Sequence, residues 1–121
     1  MEGFTVRSEA ESIYGWVRVV DDERRGFRLM LADASIISAV HIKEDRSLLG
    51  YQEILGLLLA IHPEAARALL IGLGGGHVAR DLKSKGIVTD TIEIDPAVAV
   101  AARTTFSFPA HRSIYRRRRT L

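Results

Sequence analysis

The sequence predicts an α/β protein in two parts: a small N-terminal antiparallel β domain, then the first part, two strands with flanking helices, of a parallel sheet. Three observations carry that expectation. Residues 12–42 hold three β-branched and aromatic runs joined by short polar turns. An apolar run, Ala68 to Ile71, passes directly into Gly72-Leu73-Gly74-Gly75-Gly76-His77. A second run, Ile87 to Ile94, carries Glu93-Ile94-Asp95-Pro96 at its end, with a helical stretch between the two.

Taken in order, residues 1–11 are polar and read as a frayed lead-in. From Ser12 to Val20 the chain is rich in Ile13, Tyr14, Trp16, Val17, Val19 and Val20, which suits a strand, and Asp21 to Gly26 is a charged turn. Phe27 to Ala32 and Ser35 to Ile42 supply two more strands, so a three-stranded meander is expected. Ser47 is placed to cap a helix over about Leu48 to Ile61, with Leu48, Tyr51, Leu55, Leu58 and Leu59 on its buried face. Pro63 closes that segment. A helix from about His77 to Lys85 ends at Gly86, a left-handed C-cap, and Asp95-Pro96 caps a further helix through Ala102. Beyond Phe106 the periodicity fails. The divisions expected are therefore 1–46, a β-meander; 47–106, a partial parallel unit; and 107–121, an Arg-rich irregular tail.

Composition narrows the function classes. At 121 residues and 47% hydrophobic, the chain has the size of one domain or a small domain plus part of a second. It has no cysteine, which excludes disulfides, thiolate metal sites and a cysteine nucleophile, and no metal ligand set is assigned. Met1-Glu2-Gly3-Phe4 is no signal peptide, and the apolar run Ile54 to Ile61 is interrupted by Gly56 and too short to span a bilayer, so a soluble cytoplasmic protein with no membrane partner is expected. Charge is divided unevenly. Fifteen acids against eleven Lys and Arg leave residues 1–102 at −4, while residues 103–121 hold six Arg and no acid. One basic tail is weaker evidence than a basic face on a fold, so nucleic acid is not assigned as a partner.

The glycine motif carries the chemistry. In a β-turn-α-β unit, glycines at the first turn let a ligand approach the backbone, and an acid at the end of the second strand can accept from both ribose hydroxyls. The dinucleotide fingerprint asks for glycine at the first, third and sixth turn positions, but here the sixth is His77. Gly72, Gly74 and Gly76 with Glu93 instead resemble the S-adenosylmethionine site of class I methyltransferase-type folds, a ligand whose amino-acid end, unlike a pyrophosphate, does not require every amide of a helix N-terminus. Asp95 reads as a helix cap and His77 as a first-turn helix residue.

Several further motifs follow in a recognisable order. Ser12-Ile13-Tyr14-Gly15, Val19-Val20-Asp21-Asp22, Gly50-Tyr51-Gln52-Glu53, His62-Pro63, the glycine loop and Glu93-Ile94-Asp95-Pro96 together make residues 12 to 106 resemble spermidine synthase-like proteins. The resemblance implies a small β domain ahead of a Rossmann-like methyltransferase fold, and an aminopropyltransferase of polyamine synthesis that uses decarboxylated S-adenosylmethionine. It implies that Gly72, Leu73, Gly74, Gly75, Gly76, Glu93 and Ile94 form the cofactor site, and that Tyr51 and Gln52 lie near a polyamine substrate. The sequence departs from the family pattern in three places: Gly15 replaces a glutamine, Gln52 a histidine, and the glycine loop lacks an aspartate. The family's catalytic aspartate lies after a fourth Rossmann strand, beyond Leu121, so no catalytic residue is assigned. The expectation is a shortened or frameshifted member of the family, self-associating through exposed sheet edges. The rival expectations are an S-adenosylmethionine-dependent methyltransferase and a non-catalytic fragment or interaction module.

Overall fold

The computed structural model describes residues 2–106 and 114–115, with the backbone alone for Gln52 and for residues 114 and 115. Five strands, β1 (Phe4–Ser12), β2 (Gly15–Asp22), β3 (Phe27–Ala32), β4 (Ser35–His41) and β5 (Arg46–Ser47), form one antiparallel sheet in sequential order. They are followed by α1 (Tyr51–Ile61), β6 (Arg67–Ile71), α2 (His77–Ser84), β7 (Val88–Ile92), α3 (Pro96–Thr105) and β8 (Ile114–Tyr115). The last three strands make a parallel sheet in the order β6-β7-β8.

Several expectations are corrected. The frayed lead-in is β1, an edge strand paired along β2 from Phe4↔Asp22 to Ser12↔Gly15. Its residues are mostly solvent-facing, so no apolar alternation marked it. The next strand runs from Gly15 to Asp22 rather than Ser12 to Val20, because Asp21 and Asp22 are paired and buried within it rather than turning the chain. Arg28 makes this tolerable by donating to both oxygens of Asp21 at 2.7 and 2.8 Å, and Arg25 donates to Asp22 at 2.9 Å. Ser47 is no helix cap. It pairs with Val40 in β5, and its Oγ accepts from the Leu49 N–H, so α1 starts three residues late behind Gly50 with no side-chain cap. The last run shortens to Val88–Ile92, since Glu93 turns out of the ladder. The parallel sheet gains β8, two residues in register with Thr91 and Ile92, where no strand was expected. The rest of the tail, 107–113 and 116–121 with Arg116 to Arg119, lies outside the described residues.

One core joins the two sheets. Val17 and Val19, two apart on β2, face inward with Met30 and Val40, and against them pack Ala99, Ala101, Ala102 and Val98 of α3 together with Leu73 and Phe106. Small alanines let the helix lie close to the sheet. Asp95 caps α3 by accepting from the Ala97 N–H at 2.9 Å, with Pro96 at the first helical position. At the other end Arg28 donates to the Thr105 carbonyl at 2.6 Å, placing a cation on the negative end of the helix and tying β3 to it. The helix after the glycines ends as expected at Gly86, φ +76°.

The parallel unit is less covered. Of the apolar face expected on α1, Leu55 is buried, against Leu82 and Ile87 with Leu59 beside them, while Tyr51 and Leu58 are exposed. Leu69 and Ile71 of β6 also face solvent. Among the described residues no helix is long and apolar enough to cross a membrane.

Candidate functional site

The loop that leaves β6 uses glycine for two different reasons. Gly72 and Gly74 adopt φ of +90° and +54°, a region that a Cβ disfavours, and the Gly72 N–H donates to the Ile92 carbonyl at 2.8 Å. Gly75 is needed for room. A Cβ there would lie 2.5 Å from Ser38 Oγ and 2.9 Å from Phe106 Cδ1, so the loop rests directly on the antiparallel sheet.

Glu93 fixes the loop from the other side. Its carboxylate is buried; Oε1 accepts from the Leu73 N–H and Oε2 from the Asp95 N–H, both at 3.0 Å. One side chain thus ties the glycine loop to the β7–α3 turn. A carboxylate has roughly four acceptor positions, so about two are left over.

Loop and carboxylate border a cleft of about 400 Å³. Leu70 to Gly75 line it together with Ile37 and Ser38 of β4, Ser47 and Leu49 after it, and Tyr51, His77, Val78 and Glu93. The β4 part of the lining contains a β-bulge. Met30 pairs with Ser38 but Leu31 with Ile36, which skips Ile37 and re-aims this part of β4 at the loop.

His77 is the first residue of α2 and is buried, its ring edge-on to Phe106 with centroids 5.9 Å apart. Burial, assisted by the charge of Arg80 and opposed by Asp45, holds its pKa below the ordinary histidine value. Nε2 lies 4.0 Å from Asp45 Oδ1, and neither ring nitrogen has a hydrogen-bond partner among the described residues.

Of the residues singled out from sequence, Gly72, Leu73, Gly74, Gly75, Glu93 and Tyr51 come together around the cleft. Gly76 caps α2 outside the lining, and Ile94 is exposed away from it. Gln52 follows Tyr51 in α1, and its side chain lies outside the described residues. Sequence reasoning missed Ile37, Ser38, Ser47, Leu49 and Val78, and undervalued His77. The one available signal was Ser38, a small polar residue inside the apolar run Ile36 to Val40. Chemically the lining offers mostly apolar surface, a carboxylate with acceptor positions to spare and a buried imidazole. It contains no acid–base pair and no activated nucleophile among the described residues.

No family model matches the chain. A curated relative, an N-terminal histidine N-methyltransferase of Emericella nidulans, is 31% identical over 125 residues, covering 89% of this chain and 22% of the relative. Three solved structures share the fold with a TM-score of 0.69 each. They are the spermidine synthase of Thermotoga maritima (23% identical, 84% of this chain, 34% of that one), a spermidine synthase in complex with the transition state analogue AdoDATO (23%, 84% and 35%), and a probable spermidine synthase of Corynebacterium glutamicum (15%, 93% and 44%). The chain therefore has the spermidine synthase-like, class I methyltransferase-type α/β fold, as the motif order implied. It spans about a fifth of the length of the curated relative and from about a third to somewhat under half of the solved ones.

Proposed function

We propose that the chain forms the nucleoside-binding part of a spermidine synthase-like transferase, taking S-adenosylmethionine or its decarboxylated form in the glycine-loop cleft. The observation that carries this reading is Glu93: a buried carboxylate held by the Leu73 and Asp95 amides at the edge of the cleft, with acceptor positions left for the two ribose hydroxyls. The adenine ring would lie against the apolar lining.

Aminopropyl transfer in polyamine synthesis is the first activity reading, supported by the fold shared with spermidine synthases, one of them in complex with a transition state analogue. Methyl transfer is the second. It is favoured by the methyltransferase relative and by a lining whose one described carboxylate already serves two backbone amides. No residue is assigned a catalytic role in either. Gly76 and Ile94 belong to the reading as neighbours that shape the loop and strand end, and Tyr51 and Gln52 as the side nearest an acceptor such as a polyamine. Among the described residues β6 is an edge strand and α1 has an exposed apolar face, which support self-association; a monodisperse monomer by light scattering would contradict it.

Calorimetric titration with S-adenosylmethionine, its decarboxylated form, methylthioadenosine and NAD tests the reading. Saturable binding of the three sulfur nucleosides and none of NAD is expected. Preference for the decarboxylated form would favour aminopropyl transfer, preference for S-adenosylmethionine methyl transfer, and binding of NAD alone would overturn both.

A further inference from the structure

The antiparallel sheet has a second face, and its chemistry is not that of a surface left to water. On β3 the side chains of Arg28 and Met30 point inward: Met30 is fully buried, and Arg28 donates to Asp21 and to the Thr105 carbonyl of α3. By the alternation of a strand, Phe27, Leu29 and Leu31 stand on the outer face. The register sets Val20 beside Leu29, Val6 beside Val20 and Ile36 beside Leu31. A solvated sheet face ordinarily carries polar residues, yet here the charged side chain of β3 is the inward one and the outward row is apolar. The helix α3 covers the inner face. None of the six outer residues belongs to a core cluster among the described residues, and Val6 and Ile36 are 57% and 53% exposed.

Charge on this face is divided between opposite corners. At one, Glu9 and Glu11 of β1 lie opposite Arg18 and Trp16 of β2. Arg18 pairs with Glu9 at 3.5 Å and stacks over the Trp16 ring, while Glu11 has no ion-pair partner among the described residues. At the diagonally opposite corner His41 and Arg46 are paired between β4 and β5, and Arg46 is held by Glu44. Lys43, in the turn between those strands, is the cation there with no partner among the described residues. A two-fold axis laid across that diagonal exchanges the two corners, so a second copy brings its basic corner over the acids and its acids over the basic corner. The face is about as wide as it is long, roughly 20 Å each way from the spacing and rise of its strands, so the two sheets cross near a right angle. A face of that size lies toward the lower end of what specific pairs bury, which makes a pair that separates on dilution.

We propose that a second copy of this chain docks on the outer face of the antiparallel sheet, Val20, Leu29 and Leu31 of each copy meeting at the centre and Glu11 of each standing against Lys43 of the other. This surface is separate from the β6 edge and from α1, and it does not depend on the nucleoside reading.

The test is sedimentation velocity over a range of concentrations, with circular dichroism to check the fold of each variant. The wild-type chain should associate reversibly. Leu31→Lys should abolish the contact, whereas Leu57→Lys, on the exposed face of α1, should leave it in place. Glu11→Lys, at an exposed position, should raise the dissociation constant severalfold, and Lys43→Glu added to it should restore the wild-type value. These two charge variants decide the matter even where Leu31→Lys does not fold. A wild-type chain that stays monomeric throughout would overturn the proposal and self-association through α1 together. Association lost in Leu57→Lys but kept in Leu31→Lys would overturn the outer face alone, and a Glu11→Lys chain that associates like wild type would overturn the two-fold arrangement.

Discussion

The antiparallel sheet and the parallel unit meet the same requirement, an apolar face to bury, to very different degrees. In the first, Val17, Val19, Met30 and Val40 are at most 5% exposed. In the second, Leu69 and Ile71 of one strand are 63% and 80% exposed. The difference shows where order at the site comes from. Parallel strands normally sit under cover on both faces, and β6 among the described residues does not. Its loop is held instead by the neighbouring sheet, through the contact of Gly75 with Ser38, and by Glu93. The antiparallel sheet is thus the scaffold, and the parallel unit contributes the glycine-loop backbone of the proposed nucleoside cleft.

The largest effect should separate the two regions directly. Met30→Ala removes a fully buried side chain from the shared core and should cost about 2–5 kcal/mol, whereas Ile71→Ala on the open strand should stay within about 0.5 kcal/mol of wild type. Urea unfolding of the two variants checks this, and equal losses would mean that β6 is covered in solution.

The contact between the regions comes next. Gly75→Ala forces a Cβ onto Ser38 Oγ and the Phe106 ring and should cost roughly 1–3 kcal/mol and weaken nucleoside binding. Adding Ser38→Ala should return part of the loss, since the two positions touch. An additive double variant in the same unfolding assay would show that the loop does not rest on the sheet.

Much of this arrangement was legible in the chain and part of it was not, for physical reasons. The β6–loop–α2 unit, the Gly86 stop and the Asp95-Pro96 start were readable because each depends on local backbone chemistry: glycine at positive φ, an oxygen over an open amide, proline where no N–H is required. The strand β1 was unreadable because an edge strand can satisfy its backbone without burying apolar side chains. Asp21 read as part of a turn because its partner Arg28 lies on the next strand, and no window along the sequence shows that pairing. The cleft divides along the same line. Gly72 to Gly75 and Glu93 follow a motif, but Ile37 and Ser38 reach the site through a bulge that depends on pairing with β3, and His77 becomes a lining residue only once α2 is docked.

Smaller effects probe the two groups that hold the loop. Glu93→Gln replaces one acceptor oxygen with a donor facing the Leu73 or Asp95 amide, and should lower stability by about 1–2 kcal/mol while weakening nucleoside binding. Full stability in thermal unfolding would show that the carboxylate does not fasten the loop. His77 gives the smallest effect, and its sign follows from burial. Its pKa in the folded chain lies below the unfolded value of about 6.5, so the unfolded chain takes up more protons as the pH falls through that value. The stability His77 contributes relative to His77→Asn should hold above that pH and decline below it toward the folded pKa, by at most about 1.4 kcal/mol per pH unit. Urea midpoints for both proteins from pH 7.5 to 5 measure it, and a constant difference would mean that the ring is solvated.

The central claim, that the glycine loop, Glu93 and the bulged strand of the neighbouring sheet together form one nucleoside cleft, is tested most directly by amide chemical-shift mapping with methylthioadenosine. The expected result is saturable shifts at Leu73 to His77, at Glu93 to Asp95 and at Ile37 and Ser38, with the outer strand β1 unmoved. Unchanged amides at the loop and at Ser38 under saturating ligand would contradict it.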